Sequence, residues 1–172
     1  MTTDQPDWRD DIFDAMKTAD IRVVSYVPDA GHSHIIKRCA EDNDIDDVAL
    51  TTEEEGVALA TGAWLGGKKS VLLMQSSGVG NCINMLSLRE TARVPMVILV
   101  TMRGEYAEFN PWQIPMGSKT QEALEMCGFK VERVDRPEDV GPTVAAAIDF
   151  AYNGDIGVAV LLSQKLIGAK TW

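Results

Sequence analysis

Apolar residues recur along this chain in two rhythms. Short β-branched runs at 22–27, 47–50, 70–75, 96–101, 130–134 and 157–162 are mostly apolar throughout. That pattern marks parallel strands covered on both faces. Between them lie longer stretches in which apolar positions repeat every three or four residues, predicting helices near 32–42, 52–66, 79–91, 118–127 and 138–152. A first helix near 8–18 would bury Trp8, Ile12, Phe13 and Met16 on one face. Strict alternation of strand and helix predicts an α/β fold with a doubly wound, mainly parallel six-stranded sheet and helices on both faces. Right-handed crossovers then line the loops after the strands along the carboxyl edge, where such sheets bind ligands. The stretch 103–117, with Pro111, Trp112 and Pro115, is too long for a simple connection, and long ordered loops are often functional.

Composition narrows the class. The 172 residues suit one domain with a full core, and 45% hydrophobic with 24% charged residues is an ordinary globular balance. A net charge of −10 argues against a nucleic-acid partner, because phosphate contacts need clustered Lys and Arg. No apolar run is long enough to cross a bilayer, and the polar, acidic N-terminus does not read as a signal peptide. Cys39, Cys82 and Cys127 have neither CxxC nor Cys/His metal spacing. They read as free thiols of a cytoplasmic protein.

Four loops on the expected carboxyl edge carry candidate chemistry. The first, from Val27 to His34, holds both histidines of the chain. His32 reads as a substrate contact beside Asp29, or else Asp29, Ser33 or His34 caps the following helix. A metal would need a third ligand, and none follows at suitable spacing, so no metal ligand is assigned. The second loop leads into Glu53, Glu54 and Glu55. Thr52 and Glu55 have the spacing of a capping box, which puts Glu53 on the first helical residue. All three acids can equally be solvated partners of the helix dipole. The small residues that follow, Gly56, Ala58, Ala60, Gly62 and Ala63, leave room for another chain or a ligand. The third loop, Gln75-Ser76-Ser77-Gly78-Val79-Gly80-Asn81, reads as a tight turn or as a binding loop of close backbone approach. In the fourth, Arg103 stands at a strand end, placed to clamp an anion or to pair with Glu105, Glu108 or a partner chain.

In order and spacing these loops are more specific than any one of them. Glu53-x-x-Gly56-Val-Ala-Leu-Ala-x-Gly62, Leu73-Met74-Gln75-Ser76-Ser77-Gly78-Val79-Gly80-Asn81 and Arg103-Gly104-Glu105 together resemble the pyrimidine-binding (PYR) domain of thiamine-diphosphate enzymes. The branch they resemble is the decarboxylases of sulfopyruvate and phosphonopyruvate, over residues from about 27 to 134. Gly80-Asn81-Cys82-Ile83-Asn84 and the short length look most like the alpha subunit of the sulfopyruvate enzymes. The resemblance implies a catalytic Glu53 that hydrogen-bonds N1′ of the cofactor's aminopyrimidine and shares its proton. The cofactor would then serve as the electron sink for loss of CO2 from a 2-keto acid. It further implies cofactor contacts from Gln75, Ser76, Gly78 and Asn81, and substrate contacts from Asp29, His32, Arg103 and Gln113.

The Gly-Asp-Gly…Asn-Asn segment that holds Mg2+ in such enzymes is absent; Asn153-Gly154-Asp155 is only an echo of it. The resemblance therefore implies that thiamine diphosphate and Mg2+ are completed by a beta subunit carrying the diphosphate-binding domain, in a hetero-oligomer of alpha/beta pairs. The small-residue face of the 52–66 helix is the expected docking place. Three positions depart from the family pattern: Ala30 in place of a polar residue, Trp64 in place of Tyr, and Met74 where some relatives use His. A phosphonopyruvate decarboxylase subunit and a non-catalytic, flavodoxin-like binding module are the alternative readings.

Overall fold

A computed structural model describes residues 7–168. The elements run α1 (Trp8–Thr18), β1 (Ile21–Tyr26), α2 (Ser33–Ala40), β2 (Asp46–Ala49), α3 (Glu53–Leu65), β3 (Lys69–Gln75) and α4 (Ser76–Cys82). They continue with α5 (Ser87–Ala92), β4 (Met96–Thr101), α6 (Ile114–Gly117), α7 (Thr120–Met126), β5 (Phe129–Val134), α8 (Pro137–Gly154), β6 (Gly157–Leu162) and α9 (Gln164–Ile167). The strands form one six-stranded sheet in the order β2-β1-β3-β4-β6-β5, and every pairing is parallel.

Strand alternation assigns each side chain to one of two cores. Val71, Leu73, Val97, Leu99, Val158 and Val160 face a layer built by α1, α2 and α8. Leu72, Met74, Ile98, Val100, Ala159 and Leu161 face α3, α4 and α7. The apolar face read on the first helix is buried at Ile12, Phe13 and Met16. Cys39 and Cys82 lie in these cores, where burial pushes both thiols up to about 12 and leaves them inert as nucleophiles. None of the described helices is long and apolar enough to cross a membrane. The polar residues 1–6 lie outside the described part of the chain.

Two local expectations change. The helix expected over 79–91 is two helices, and the first begins directly at the strand end, with Gln75 as its extended N-cap. The Gly-rich stretch is thus helical and not a loop, because its glycines are helix positions approached closely by neighbours. The long 103–117 segment is ordered by a 3-10 turn at Pro111–Gln113 and by α6. Gly117 has no side chain to keep α6 off the Arg103 carbonyl.

The chain passes from β1 to one side, β2, and then crosses to β3 on the other. The carboxyl ends of β1 and β3 therefore flank a topological switch point, the crevice at which such sheets bind ligands.

Candidate active site

α3 begins at Glu53, as the sequence predicts, with Thr52 as its extended N-cap. The cap itself differs from a capping box. Thr52 makes no side-chain cap bond, and Glu55 accepts instead from the backbone N–H of Thr51 at 2.8 Å. Glu54 and Glu55 are exposed, whereas Glu53 is half-buried. One turn on, Gly56 lies against Leu72 and Leu50, so α3 sits close to β3 and carries Glu53 onto α4. There the Glu53 carboxylate covers Gly78: a methyl group on Gly78 would lie 2.5 Å from its Cγ, Cδ and Oε1. Asn81, one turn further along α4, donates from Nδ2 to Glu53 Oε2 at 2.8 Å. Glu53, Gly78 and Asn81, 28 positions apart across the contact, thus form one cradle with an exposed rim.

The small residues of α3 split into two groups. Gly56 and Ala60 are buried toward the sheet, while Ala58 and Gly62 face outward, with open space around Gly62. Leu65 on the same helix is 78% exposed. Trp64 packs at a tilt against Tyr152, with ring centroids 5.6 Å apart. It stands about 16 Å along the helix from Glu53, so it takes no part in the cradle.

A second cluster spans the switch point. Asp29, in the loop after β1, accepts from Gln75 Nε2 at 2.8 Å, from Thr101 Oγ1 at 2.7 Å and from Gly31 N–H at 3.1 Å. Gln75 completes its own amide by accepting from Ser77 Oγ at 3.0 Å. It belongs with Asp29 and not with Glu53. His32 begins α2 without a side-chain cap bond, and its ring is only 1% exposed. Its Nδ1 is 3.9 Å from Asp29 Oδ2, and neither ring nitrogen has a hydrogen-bond partner. Burial pushes the imidazole down to about 4, against the opposing pull of Asp29. The ring expected to contact substrate is thus a neutral imidazole buried behind Asp29.

The other histidine points elsewhere. His34 Nε2 is 2.8 Å from Asp10 and lies with Asp7 and Asp10 in a group that could hold a metal. Spacing around the histidines could not reveal these acids, because they come from α1 and its cap. Their charge is already balanced: Arg9 binds Asp7 at 2.8 and 3.0 Å, and Arg38 pairs with Asp10.

A third cluster ties down the long segment. Arg103 donates from Nε and Nη2 to Glu108 at 2.7 and 2.6 Å, with the two side chains only 7% and 4% exposed. Glu108 also accepts from Gly104 N–H, Asn110 N–H and Gln164 Nε2, all at 2.9–3.0 Å. The guanidinium, followed by these donors, holds its carboxyl well below the usual carboxylate range despite burial. Of the pairings open to Arg103, the structure realises Glu108, while Glu105 pairs with Arg133 at 2.7 Å. The bidentate edge expected to clamp a substrate anion is therefore occupied by Glu108, which leaves Nη1 and the second N–H of Nη2 for any further acceptor.

Ser76 is fully buried and accepts from Arg103 N–H at 3.1 Å, so it joins this cluster and does not face the cradle. Gln113 packs on Gly104, whose φ of +78° requires glycine; its Oε1 is buried without a partner. Met74 is a core residue. Thr101 and Gln164 join these clusters although sequence reasoning did not name them. Their only signal was position, at or just beyond the ends of β4 and β6.

The cradle fits the edge of an aminopyrimidine: a carboxylate held by one amide, half open, above a position where any side chain would collide. Comparison with known proteins gives the family. The family profile described as "Thiamine pyrophosphate enzyme, N-terminal TPP binding domain" matches residues 7–124. The sulfopyruvate decarboxylase subunit alpha of Methanocaldococcus jannaschii is 34% identical over 151 residues, 87% of this chain and 89% of the relative. The phosphonopyruvate decarboxylase of Streptomyces viridochromogenes is 32% identical over 86% of this chain, which spans only 38% of that protein. In fold, benzoylformate decarboxylase from Polynucleobacter necessarius superposes with a TM-score of 0.72 at 19% identity, over 98% of this chain and 32% of that one.

Proposed function

Because this chain belongs to the thiamine pyrophosphate enzymes, through their N-terminal TPP binding domain, we propose that it is the cofactor-activating subunit of a 2-keto acid decarboxylase. The preferred substrate is sulfopyruvate, giving sulfoacetaldehyde and CO2, on the strength of relatives such as the M. jannaschii subunit that match along nearly their whole length. The observation that carries the reading is the Glu53–Gly78–Asn81 cradle.

When bound, thiamine diphosphate supplies the electron sink for loss of CO2. The chain's residues do the rest on this side of the cleft. Glu53 accepts and returns a proton at the pyrimidine ring nitrogen, because its half-buried carboxylate is held by one side chain among the described residues, Asn81. Gly78 leaves the space that lets it do so. Asn81 fixes its rotamer. Asp29 stands across the switch point, and Arg103 and Gln113 follow the carboxyl end of β4. Arg103 is already neutralised by Glu108, so the substrate's terminal anion needs a further cation, supplied by the partner.

That partner is a beta subunit with the diphosphate-binding domain, which holds the diphosphate and Mg2+ and makes a hetero-oligomer of alpha/beta pairs. The outward Ala58–Gly62–Leu65 face of α3 and the 83% exposed Trp112 are its docking surfaces. The three free thiols suit a reducing cytoplasm.

The test uses this chain copurified with the chain that carries Gly-Asp-Gly…Asn-Asn, assayed with sulfopyruvate, phosphonopyruvate and pyruvate. Glu53→Gln should lower turnover by about 10²- to 10⁴-fold without weakening complex formation. Turnover within a few-fold of wild type would sink the enzyme reading. Robust decarboxylation by the chain alone would sink the two-chain reading.

A further inference from the structure

Three strands converge on one carboxylate. Asp29 comes from the end of β1, Gln75 from the end of β3 and Thr101 from the end of β4. The Thr101 hydroxyl stands 2.7 Å from Asp29 Oδ2 and 3.4 Å from the Met74 carbonyl, so its single hydrogen goes to the carboxylate. Gly31 closes the arrangement. A methyl group there would lie 2.7 Å from Thr101 Cγ2 and 2.9 Å from Asp29 Oδ2, so only glycine lets the loop fold down onto β4.

The hydrogen bonds are unequally shared between the two oxygens. Oδ2 takes two donors, Thr101 and Gly31, which fill its lone pairs. Among the described residues Oδ1 takes only Gln75 and keeps one lone pair. The side chain is 7% exposed, and the nearest ring, His32, is buried and 3.9 Å away. This carboxylate is thus aimed by neutral donors from two strand ends and from its own loop, not by an ion pair.

We infer that Thr101 is a positioning residue: together with Gln75 it fixes Asp29 at the mouth of the β1/β3 crevice, so that Oδ1 accepts from an N–H or O–H of the bound molecules. The inference rests on the decarboxylase reading and refines it. A 2-keto acid with a terminal sulfonate is doubly negative, and an anionic acceptor cannot be its anchor. Asp29 therefore orients a donor near the reacting carbon and leaves the substrate's anionic ends to other groups. A loose Asp29 lowers the rate of the reaction more than the affinity for substrate.

The variants Thr101→Val and Thr101→Ser separate positioning from packing, since valine keeps the shape and loses the hydroxyl, while serine does the reverse. In the complex with the diphosphate-domain chain, Thr101→Val should lower kcat by about tenfold or more, the loss expected for one hydrogen bond to a charged group, with KM little changed. Thr101→Ser should stay within about threefold of wild type by the same reckoning. Equal losses in both variants, or a valine variant with undiminished kcat, would overturn the inference. A second measurement does not depend on turnover. In the full chain, the carboxyl 13C shift of Asp29 at neutral pH should move in Thr101→Val and return in Thr101→Ser. An unmoved shift in the valine variant overturns the inference even if Glu53→Gln has upheld the decarboxylase. A moved and rescued shift with no decarboxylation by any complex upholds the positioning and removes the reading it serves.

Discussion

Glu53 and Glu108 stand at the carboxyl edge of the same sheet and are held in opposite ways. Glu108 is almost fully enclosed and receives five donors, two of them from one guanidinium. Glu53 is half open and receives one, from Asn81. The first arrangement leaves a carboxylate nothing to do but stay charged, and it fastens the 103–117 segment to β4 and α9. The second leaves a carboxylate able to exchange a hydrogen bond with something that arrives. What distinguishes the two acids is the number of donors already committed to each, more than residue type or place on the sheet.

Breaking the enclosed pair should have the largest effect on the fold. Glu108→Ala leaves the Arg103 guanidinium buried without its counter-ion, a change that costs about 3–5 kcal/mol in comparable settings. Denaturant unfolding should show that loss, whereas Glu53→Gln should leave unfolding nearly unchanged. A Glu108→Ala protein as stable as wild type would erase the distinction between the two regions.

Acid should separate the regions in a second way. Burial holds the His32 imidazole at about 4, against an ordinary 6.5, so between those values the unfolded chain binds a proton that the folded chain refuses. Stability should therefore fall as pH drops from about 6.5 toward 4, by up to about 3 kcal/mol. Glu108 acts lower. Its carboxyl is depressed, so its contribution persists above the ordinary carboxylate range and is lost only as pH falls below it. His32→Leu should flatten the stability profile between pH 5 and 6.5 and leave the lower limb in place. A slope that survives the substitution would assign that proton to another group.

The smallest change tests the open region. Gly78→Ala places a methyl group 2.5 Å from the Glu53 carboxylate and must push it aside. Because Gly78 is a helical residue, alanine should leave thermal stability unchanged or raise it by about 1 kcal/mol. Turnover of the complex should nevertheless fall by about a hundredfold, as for a catalytic group misplaced by about an ångström. Activity and stability moving together would mean that the cradle is merely packing.

Much of this was legible in the sequence. Apolar runs of strand length separated by amphipathic stretches specify a doubly wound parallel sheet, because each strand must be covered on both faces. The Glu53 helix start followed from local spacing, and the choice of Glu53 as the reactive acid came with the family resemblance. What was not legible has a common cause. The partners of His32, Ser76 and Gln75 do not follow from spacing or from the family resemblance, because burial and partner choice are not local properties. His32 sinks because the loop folds onto β4 at Gly31. Ser76 is taken by the Arg103 N–H, and Gln75 turns toward Asp29, 46 positions away.

The sequence by itself determined the alternation of elements, the sheet they build, and an acid at the mouth of α3, since periodicity and capping act within a few residues. Only the tertiary structure decided which glutamate is saturated and which is free, and that Thr101, Gln75 and Asp29 meet. Those outcomes depend on which strand ends lie side by side, and the crossover at the β1/β3 switch point sets that, not spacing along the chain.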